Sequence, residues 1–157
     1  MQSCGLYIVK DEFFTRFDAQ QKLMDNKQER RPYYLGMQDK SGMLWLIPLS
    51  SQVSKYAAAI KRYEDKLGEG RCIFYYIAKV KGADKAFLIG DAFPCTEAYI
   101  RKPFTVNGAP YIIRNEEDVK ALRSKLSQFV ALVRAGKLHP NANILELERQ
   151  LKKISRD

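Results

Sequence analysis

Residues 32–51 read PYYLGMQDKSGMLWLIPLSS, and they carry the clearest structural signal in the chain. Two apolar, aromatic runs, 33–38 and 43–48, are joined by the short polar turn Asp39-Lys40-Ser41-Gly42. Such runs on either side of a turn with glycine predict an antiparallel β-hairpin. Ser50 and Ser51 end the hairpin and open a segment, 52–67, whose apolar residues recur at helical spacing.

The residues before the hairpin predict one strand and one helix. The strand is expected at 6–9, and Asp11 is placed to cap the helix that follows. We expect this helix to end near Asp25-Asn26, because its apolar residues at helical spacing reach that far: Phe13, Phe14, Phe17 and Leu23.

The second half predicts strands and then two helices. Strands are expected at 72–80, 86–89, 98–106 and 111–114, with linkers at 81–84 and 91–94. Asn115 and the acidic residues after it predict a helix start. The buried stripe of that helix comprises Val119, Leu122, Leu126, Phe129, Val130 and Val133. A last helix begins near Asn143 with Ile144, Leu147, Leu151 and Ile154 inward.

These elements predict an α+β fold. Neighbouring strands joined by short turns give a mostly antiparallel sheet with packed helices, in the form of a partly closed barrel. The chain has 157 residues, 46% of them hydrophobic, and no linker or repeat divides it. We therefore expect a single domain over residues 1–157.

The composition of the chain limits the cellular compartment and the kinds of partner that we expect. No apolar stretch approaches the roughly 20 residues of a membrane span, and charged residues from Lys10 onward leave no signal-peptide core, which indicates a cytoplasmic protein. The three cysteines are widely spaced and there is one histidine, so neither a disulfide framework nor a zinc site is expected. The net charge of +9 makes a polyanion the first candidate partner.

The charge excess is concentrated in the middle of the chain, where residues 51–114 carry 11 Lys or Arg and 6 Asp or Glu. The predicted terminal helix is also basic. A membrane-surface or partner-binding role for that helix is the third function considered, but a solvated helix face is favoured because its apolar stripe lacks an aromatic anchor. Its basic residues are Arg149, Lys152, Lys153 and Arg156.

The block Pro48-Leu49-Ser50-Ser51-Gln52-Val53-Ser54-Lys55 carries the chemistry of interest. Two serines at a strand-to-helix junction are typical helix caps. A helix start also binds anions, and Lys55 follows Ser51 by four residues, so serine hydroxyls and an ammonium group can converge on one phosphate. A Ser/Lys hydrolase is disfavoured, because the Ser-x-x-Lys pattern would need serine where Gln52 stands.

Other residues suit contact with nucleic acid. Arg30 and Arg31, at one edge of the sheet, are either ordinary surface charge or a phosphate clamp. His139 is not a candidate catalytic residue, because no carboxylate is evidently placed to orient it. Aromatic residues beside Lys or Arg on strands suit base stacking, although about half of such a set is normally core: Tyr33, Tyr34, Trp45, Tyr75, Tyr76, Tyr99 and Phe104.

The chain resembles the ToxN/AbiQ family, the toxins of type III toxin–antitoxin systems, and more closely its CptN-like branch. The resemblance rests on Arg31-Pro32-Tyr33, the strand through Gly36, and Trp45-Leu46-Ile47-Pro48-Leu49-Ser50-Ser51 with a following lysine. It extends through Tyr7-Ile8 and 86–94 to the two closing helices. Gln52 and Val53 depart from the Pro-Lys of the family's Ser-Ser-Pro-Lys-x-Lys form, which leaves Lys55 as the lysine of the block.

The resemblance implies a twisted antiparallel sheet of the MazF/Kid-like, SH3-barrel-related group. It also implies a cytoplasmic endoribonuclease that acts in phage abortive infection, without metal or cofactor. The implied partners are substrate RNA and a small, repeat-derived pseudoknot RNA antitoxin, which binds the active-site groove to form a toxin–RNA assembly.

The expected reaction is sequence-selective cleavage of RNA by its own 2′-hydroxyl, which leaves a 2′,3′-cyclic phosphate and a 5′-hydroxyl. Charge stabilisation and protonation of the leaving oxygen are assigned to Lys55, phosphate positioning to Ser51 and Ser50, and a second clamp to Arg31. The RNA-binding candidates are Tyr33, Tyr7, Arg30 and Trp45. A non-catalytic RNA- or DNA-binding regulator is the alternative, because it needs the same basic and aromatic surface.

Overall fold

The computed structural model describes residues 1–156, without the side chain of Arg156. The described chain forms four α-helices and nine strands. In chain order they are β1 (Leu6–Val9), α1 (Asp11–Phe17), β2 (Pro32–Gln38), β3 (Leu44–Ser50), α2 (Val53–Leu67), β4 (Tyr76–Val80), β5 (Ala83–Phe87), β6 (Phe93–Cys95), β7 (Ile100–Pro103), β8 (Thr105–Val106), β9 (Ala109–Pro110), α3 (Glu116–Arg134) and α4 (Ile144–Arg156).

Strand β3 is the centre of the main sheet. The sheet has the order β4-β5-β3-β2-β1-β7. One edge of β3 pairs with β2, and the other edge pairs with β6 near its start and with β5 at its end. Every pairing between named strands of the described chain is antiparallel, which confirms the α+β class and the antiparallel sheet. The sheet order does not close on itself, so the sheet is open rather than a closed barrel.

The predicted hairpin is formed by β2 and β3. Its turn is stabilised by Asp39, whose carboxylate accepts hydrogen bonds from the backbone N–H groups of Ser41 and Met43. Gly42 has a φ of +90°, a conformation that costs glycine little and other residues much. The turn residues therefore account for the position of the hairpin.

Both faces of the hairpin are buried. Tyr33 and Tyr34 are neighbours in β2 and point to opposite faces, yet each is at most 2% exposed. The ring of Tyr33 packs against Phe93, whereas that of Tyr34 packs against Phe87. Helix α3 lies close to β2 at Gly36. The hairpin is thus an internal element, and its end positions the residues discussed below.

The closing helices form as predicted. Asn115 caps α3, because its side chain accepts a hydrogen bond from the N–H of Asp118. Arg134, at the end of α3, makes two hydrogen bonds of 2.8 and 2.9 Å to the Glu148 carboxylate of α4, which joins the two helices. One part of the predicted stripe is wrong, since Ile154 is 37% exposed.

Helix α1 is shorter than predicted and ends at Phe17. Asp18 ends it, because its carboxylate accepts hydrogen bonds from the N–H groups of Lys22 and Leu23 and so forms a turn. Gln21 has a φ of +55°, which no α-helix accommodates. Asp11 is the first residue of α1 and makes no cap hydrogen bond.

Three predictions for the second half are also corrected. The segment 91–94 is not a simple linker, because Phe93–Cys95 is buried and pairs with β3 as β6. Residues 98–106 break into a short 3₁₀ turn, β7 and β8 rather than one strand. Residues 111–114 form one isolated bridge, Gly5 with Ile112, instead of a strand. In each case tertiary pairing overrides the local apolar pattern.

Candidate functional site

The end of β3 brings Ser51 to Lys85. Ser50 pairs with Ala86 in the antiparallel register of β3 and β5. The adjacent Lys85 therefore lies beside Ser51, and its Nζ donates a hydrogen bond of 2.9 Å to the Ser51 Oγ. Ser51 is exposed, and Lys85 is half-buried. This places a hydroxyl and an ammonium group together at the surface of the sheet.

Ser50 is 7% exposed and has a different role. Its Oγ accepts a hydrogen bond of 3.2 Å from the backbone N–H of Gln52. Gln52 occupies the N-cap position of α2 and makes no side-chain cap bond, so neither serine is the N-cap that the sequence predicted. Ser50 instead stabilises the turn that leads from β3 into α2.

Lys55 lies in the first turn of α2 and is exposed. Its Nζ is 5.2 Å from the centre of the Tyr56 ring. In residues 1–156 Lys55 makes no hydrogen bond to Ser51, so the lysine that the structure joins to Ser51 is Lys85. The β3–β5 register, which the sequence does not reveal, determines this difference.

Arg31 is a buried anchor, with 6% of its surface exposed. Its Nε donates a 2.7 Å hydrogen bond to the Asp25 carbonyl, and a terminal nitrogen donates to the Leu49 carbonyl. Arg31 therefore ties the loop before β2 to the end of β3. The neighbouring Arg30 is exposed, and its guanidinium bonds to Lys27 and Gln28.

The loop before β2 contains a left-handed turn. Lys27, Gln28 and Glu29 have φ angles of 51°, 58° and 64°. For residues other than glycine, this conformation costs about 1 kcal/mol or more per residue. The turn is held by Glu29, whose carboxylate binds the Arg101 guanidinium and the backbone N–H of Asp11. The hydrogen bond from Arg101 lowers the pKa of Glu29, so this anchor is charged at neutral pH.

A cavity of about 290 Å³ opens between this loop and the ends of β3, β4 and β5. Five cationic residues and two serines line it, and none of its lining residues is acidic. The cations are Lys27, Arg30, Arg31, Lys81 and Lys85. The other lining residues are Pro32, Leu49, Ser50, Ser51, Val80 and Phe104. The cavity therefore has the charge of an anion-binding site.

Two larger cavities have a different charge. One, of about 880 Å³, lies beside α1 and is lined by Asp11, Asp18 and Asp25 without any lysine or arginine. The other, of about 750 Å³, lies between β4 and the β8–β9 hairpin, where two basic and two acidic residues balance. We therefore expect a polyanion to bind the smaller, basic cavity rather than either of these two cavities.

A cavity of about 530 Å³ on α4 is also basic, but Arg149 and Lys152, two of its three lining cations, are paired with carboxylates. Lys152 lies 3.7 Å from a carboxylate oxygen of Glu148, and Arg149 pairs with Glu146. This alternation is typical of a solvated helix face.

Asp91 is an acidic residue close to the candidate cations. It ends the 3₁₀ turn Ile89–Asp91, which is joined to β3 through the hydrogen bond from the Leu88 N–H to the Pro48 carbonyl. Burial raises the pKa of the Asp91 carboxyl, and the positive charges of Arg31 and Lys55 oppose that shift. Asp91 could not be identified from the sequence, because only the folded chain brings it near Arg31 and Lys55.

Three of the four RNA-binding candidates lie in the core. Tyr33 is fully buried, Trp45 is 2% exposed and Tyr7 is 6% exposed. Burial raises the pKa of the Tyr33 hydroxyl, and that hydroxyl has no hydrogen-bond partner in the described chain. Stacking against RNA needs an accessible ring face. These three buried residues are therefore core residues rather than RNA contacts. Arg30, the fourth, lines the basic cavity.

Residues that the sequence analysis did not select complete the cavity. Lys81 lies in the Lys81-Gly82 turn of the β4–β5 hairpin, Lys27 in the left-handed turn, and Lys85 on β5. The sequence signal for Lys81 and Lys85 was the positive excess of residues 51–114, which identifies no individual lysine, and Lys27 lies outside that segment. Phe104 was among the stacking candidates, and it lines the cavity half-buried.

The chain shares its fold with a solved structure described as "A processed non-coding RNA regulates a bacterial antiviral system". The TM-score is 0.68 at 14% sequence identity, and the match covers 94% of this chain and 97% of that chain. The resemblance found in the sequence is confirmed at the level of the fold. No protein-family model and no curated protein matches the chain.

No helix within residues 1–156 is both long enough and apolar enough to cross a membrane. The same residues contain no group of three or more His, Cys, Asp or Glu side chains arranged to hold a metal ion.

Proposed function

We propose that this chain is a metal-independent endoribonuclease toxin that is inhibited by a small RNA antitoxin. The observation that carries the proposal is the basic cavity, in which the Ser51–Lys85 pair lies among four further cations and no lining acid. RNA carries one negative charge per phosphate, so such a cavity attracts its backbone. The net charge of +9 strengthens that attraction over a longer range.

The proposed reaction uses the RNA's own nucleophile. The 2′-hydroxyl oxygen forms a bond to the adjacent phosphorus as its proton leaves to a base, and the bond from phosphorus to the 5′-oxygen breaks as that oxygen takes a proton. The products are a 2′,3′-cyclic phosphate and a 5′-hydroxyl. The protein has to align the phosphate and stabilise the charge that develops on its oxygens.

Ser51 and Lys85 are suited to the first of these tasks. The hydroxyl donates its proton outward when Lys85 donates to its oxygen, so both groups offer N–H or O–H donors to a phosphate oxygen. Arg31 is rigidly held by two carbonyl groups and contributes a fixed positive charge, whereas Arg30 is exposed and contacts the neighbouring backbone. Ser50 supports the turn that presents Ser51.

Lys55 remains the proposed stabiliser of the leaving group. It is exposed one helical turn from the β3 end, and no hydrogen bond within residues 1–156 engages its ammonium group. We propose that this exposed lysine contacts a phosphate that lies across the mouth of the cavity. Its flexible side chain lets the ammonium group move with the negative charge as that charge develops on the leaving oxygen.

An RNA inhibitor is the partner we propose. The structure that shares this fold is described as a bacterial antiviral system regulated by a processed non-coding RNA, which supports an RNA regulator here as well. A folded pseudoknot RNA would cover the basic cavity and place its single-stranded ends across the Ser51–Lys85 pair. Inhibitor and substrate would then exclude one another, and the resulting assembly would contain protein and RNA.

The test combines cleavage with capture. Purified protein is incubated with cellular RNA, and fragments with 5′-hydroxyl ends are detected by direct labelling with a polynucleotide kinase. The Ser51→Ala variant is purified from its native host, and the bound nucleic acid is sequenced. Cleaved RNA with 5′-hydroxyl ends and a bound repeat RNA are expected. Bound double-stranded DNA without cleavage would instead favour a regulator, and a tightly bound protein without RNA would refute the RNA antitoxin.

A further inference from the structure

The basic cavity has two chemically different sides. One side carries the cations and serines described above, and the other is apolar, formed by Pro32, Leu49, Val80 and Phe104. A site that bound phosphate alone would need only the charged side. The apolar side therefore indicates a ligand that carries an apolar face next to its negative charge.

Phe104 is the aromatic part of this apolar side, and its backbone is fixed. Its N–H donates a 2.9 Å hydrogen bond to the Leu6 carbonyl, and its own carbonyl accepts a 2.8 Å hydrogen bond from the N–H of Tyr111. The side chain is half-buried, so one part of the ring packs on the protein while another part faces the cavity. A ring held in this way offers a rigid surface for stacking.

The size of the cavity limits what it can accept. Its volume of about 290 Å³ lies just below the lower limit of the range for small-molecule sites, about 300 to 1,000 Å³. One nucleobase with its sugar and phosphate is of that order, whereas several stacked bases are not. A base must also leave its helical stack to enter, which restricts the ligand to a single-stranded segment.

We infer that this cavity is a subsite for one unstacked nucleotide of single-stranded RNA. The base stacks on Phe104 between Pro32 and Val80, and the attached phosphate binds Lys85 and Ser51. The inference rests on the proposed function, because it takes RNA as the ligand. It assigns Phe104 and Lys85 to substrate binding, two residues that lie on different strands or connections and meet only in the folded chain.

The probe is a pool of short 2′-O-methyl RNA oligonucleotides, which cannot be cleaved because the nucleophile is blocked. Binding is measured by fluorescence anisotropy. A second probe has the same sugar–phosphate backbone without bases. The test variants are Phe104→Leu, which keeps the apolar packing but removes the aromatic face, and Phe104→Tyr, which restores that face. Tyr63→Ala is the control, since Tyr63 is an exposed aromatic residue of α2 outside the cavity.

We expect Phe104→Leu to weaken binding of the base-containing pool about tenfold, since one base–aromatic stack contributes about that much. Phe104→Tyr and Tyr63→Ala should bind as the wild type does. The abasic probe should bind the wild type more weakly than the normal pool, and Phe104→Leu should not weaken that binding further. Thermal unfolding should be similar for wild type and Phe104→Leu.

Two results would overturn the inference, and they differ from a failure of the proposed function. If Phe104→Leu binds the normal pool as tightly as wild type while Lys85→Ala binds it less tightly, the site binds phosphate without reading a base. If wild type binds the abasic and normal probes equally, no base enters the cavity. If wild type binds neither probe and cleaves no RNA, the proposed function itself fails, and the nucleotide subsite fails with it.

Discussion

The Nζ of Lys85 lies 2.9 Å from the Oγ of Ser51, although 34 positions separate the two residues in the sequence. The contact exists because β5 runs antiparallel to the end of β3 and places Ala86 opposite Ser50. It joins the serine of a strand-to-helix junction to a lysine of a different hairpin. The predictions below begin with this pair.

Lys85→Ala should reduce RNA cleavage about a hundredfold or more, because removal of one preorganised donor to a charged transition state typically costs that much. The fold should be unaffected, since the ammonium group is at the surface. Cleavage is measured under single-turnover conditions, with circular dichroism as the check on folding. Lys61→Ala removes an exposed lysine of α2 outside the cavity and should cleave normally. Wild-type rates for Lys85→Ala would show that this lysine does not touch the phosphate.

Lys55→Ala should also reduce cleavage about a hundredfold, although Lys55 lies outside the group of residues that line the cavity. Because it is exposed, its loss should leave the melting temperature almost unchanged. His139→Ala is the matched control on an exposed loop and should keep full activity. If Lys55→Ala retains activity while Lys85→Ala loses it, the stabilising role belongs to Lys85 alone.

Cleavage should persist in excess EDTA. The proposed reaction needs positioned donors and positive charge, which the lysines and arginines of the cavity supply. The measurement compares cleavage rates with EDTA, with EDTA followed by magnesium, and without either. Activity that disappears with EDTA and returns with magnesium would contradict the metal-free reaction.

Gly36→Ala should destabilise the fold by about 1 to 3 kcal/mol, the usual cost of overpacking a core. A Cβ at position 36 would lie 2.5 Å from the Cδ2 of Leu126, which is fully buried in α3. Either the Leu126 side chain or helix α3 would have to shift away from β2. Urea unfolding measures the loss, and Lys40→Ala, in the exposed turn of the same hairpin, should change it little. Unchanged stability would mean that α3 tolerates the shift.

Glu148→Gln should destabilise the protein at pH 7 by about 1 kcal/mol, since Arg134 is half exposed to solvent. The hydrogen bonds from Arg134 lower the pKa of Glu148 from its ordinary value of 4.5. The carboxylate therefore stabilises the fold above that value, and its contribution is lost as the pH falls through the lowered pKa. The stabilities of wild type and variant in urea should converge as the pH falls below 4.5. A difference that stayed constant with pH would contradict this role.

The sequence predicted the elements that depend on local chemistry. The β2–β3 hairpin follows from its turn residues Asp39 and Gly42, and the start of α3 follows from Asn115. One local signal gave a wrong prediction. The spacing of the phenylalanines suggested a long first helix, but it gave no indication of the turn made by Asp18. Capping and turns at that point depend on one side chain rather than on periodicity.

The candidate site was only partly predictable, because it depends on long-range pairing. Ser51 and Arg30 were named from their local motif and do line the cavity. Lys85 was not named, since nothing local fixes the register of β3 against β5. Tyr33 was named as an RNA-binding candidate, which needs an accessible ring, yet this sheet is covered on both faces at the hairpin.

The hydrogen bond from Phe104 to Leu6 has a consequence for how the protein is made. Strand β1 is synthesised long before its partner β7 and the adjacent Phe104. Ser51 and Arg31 are present in the nascent chain well before that point, without the wall that completes their cavity. Pairings this distant in sequence are also slow to close. A nascent chain that has not yet reached Phe104 therefore has no complete pocket.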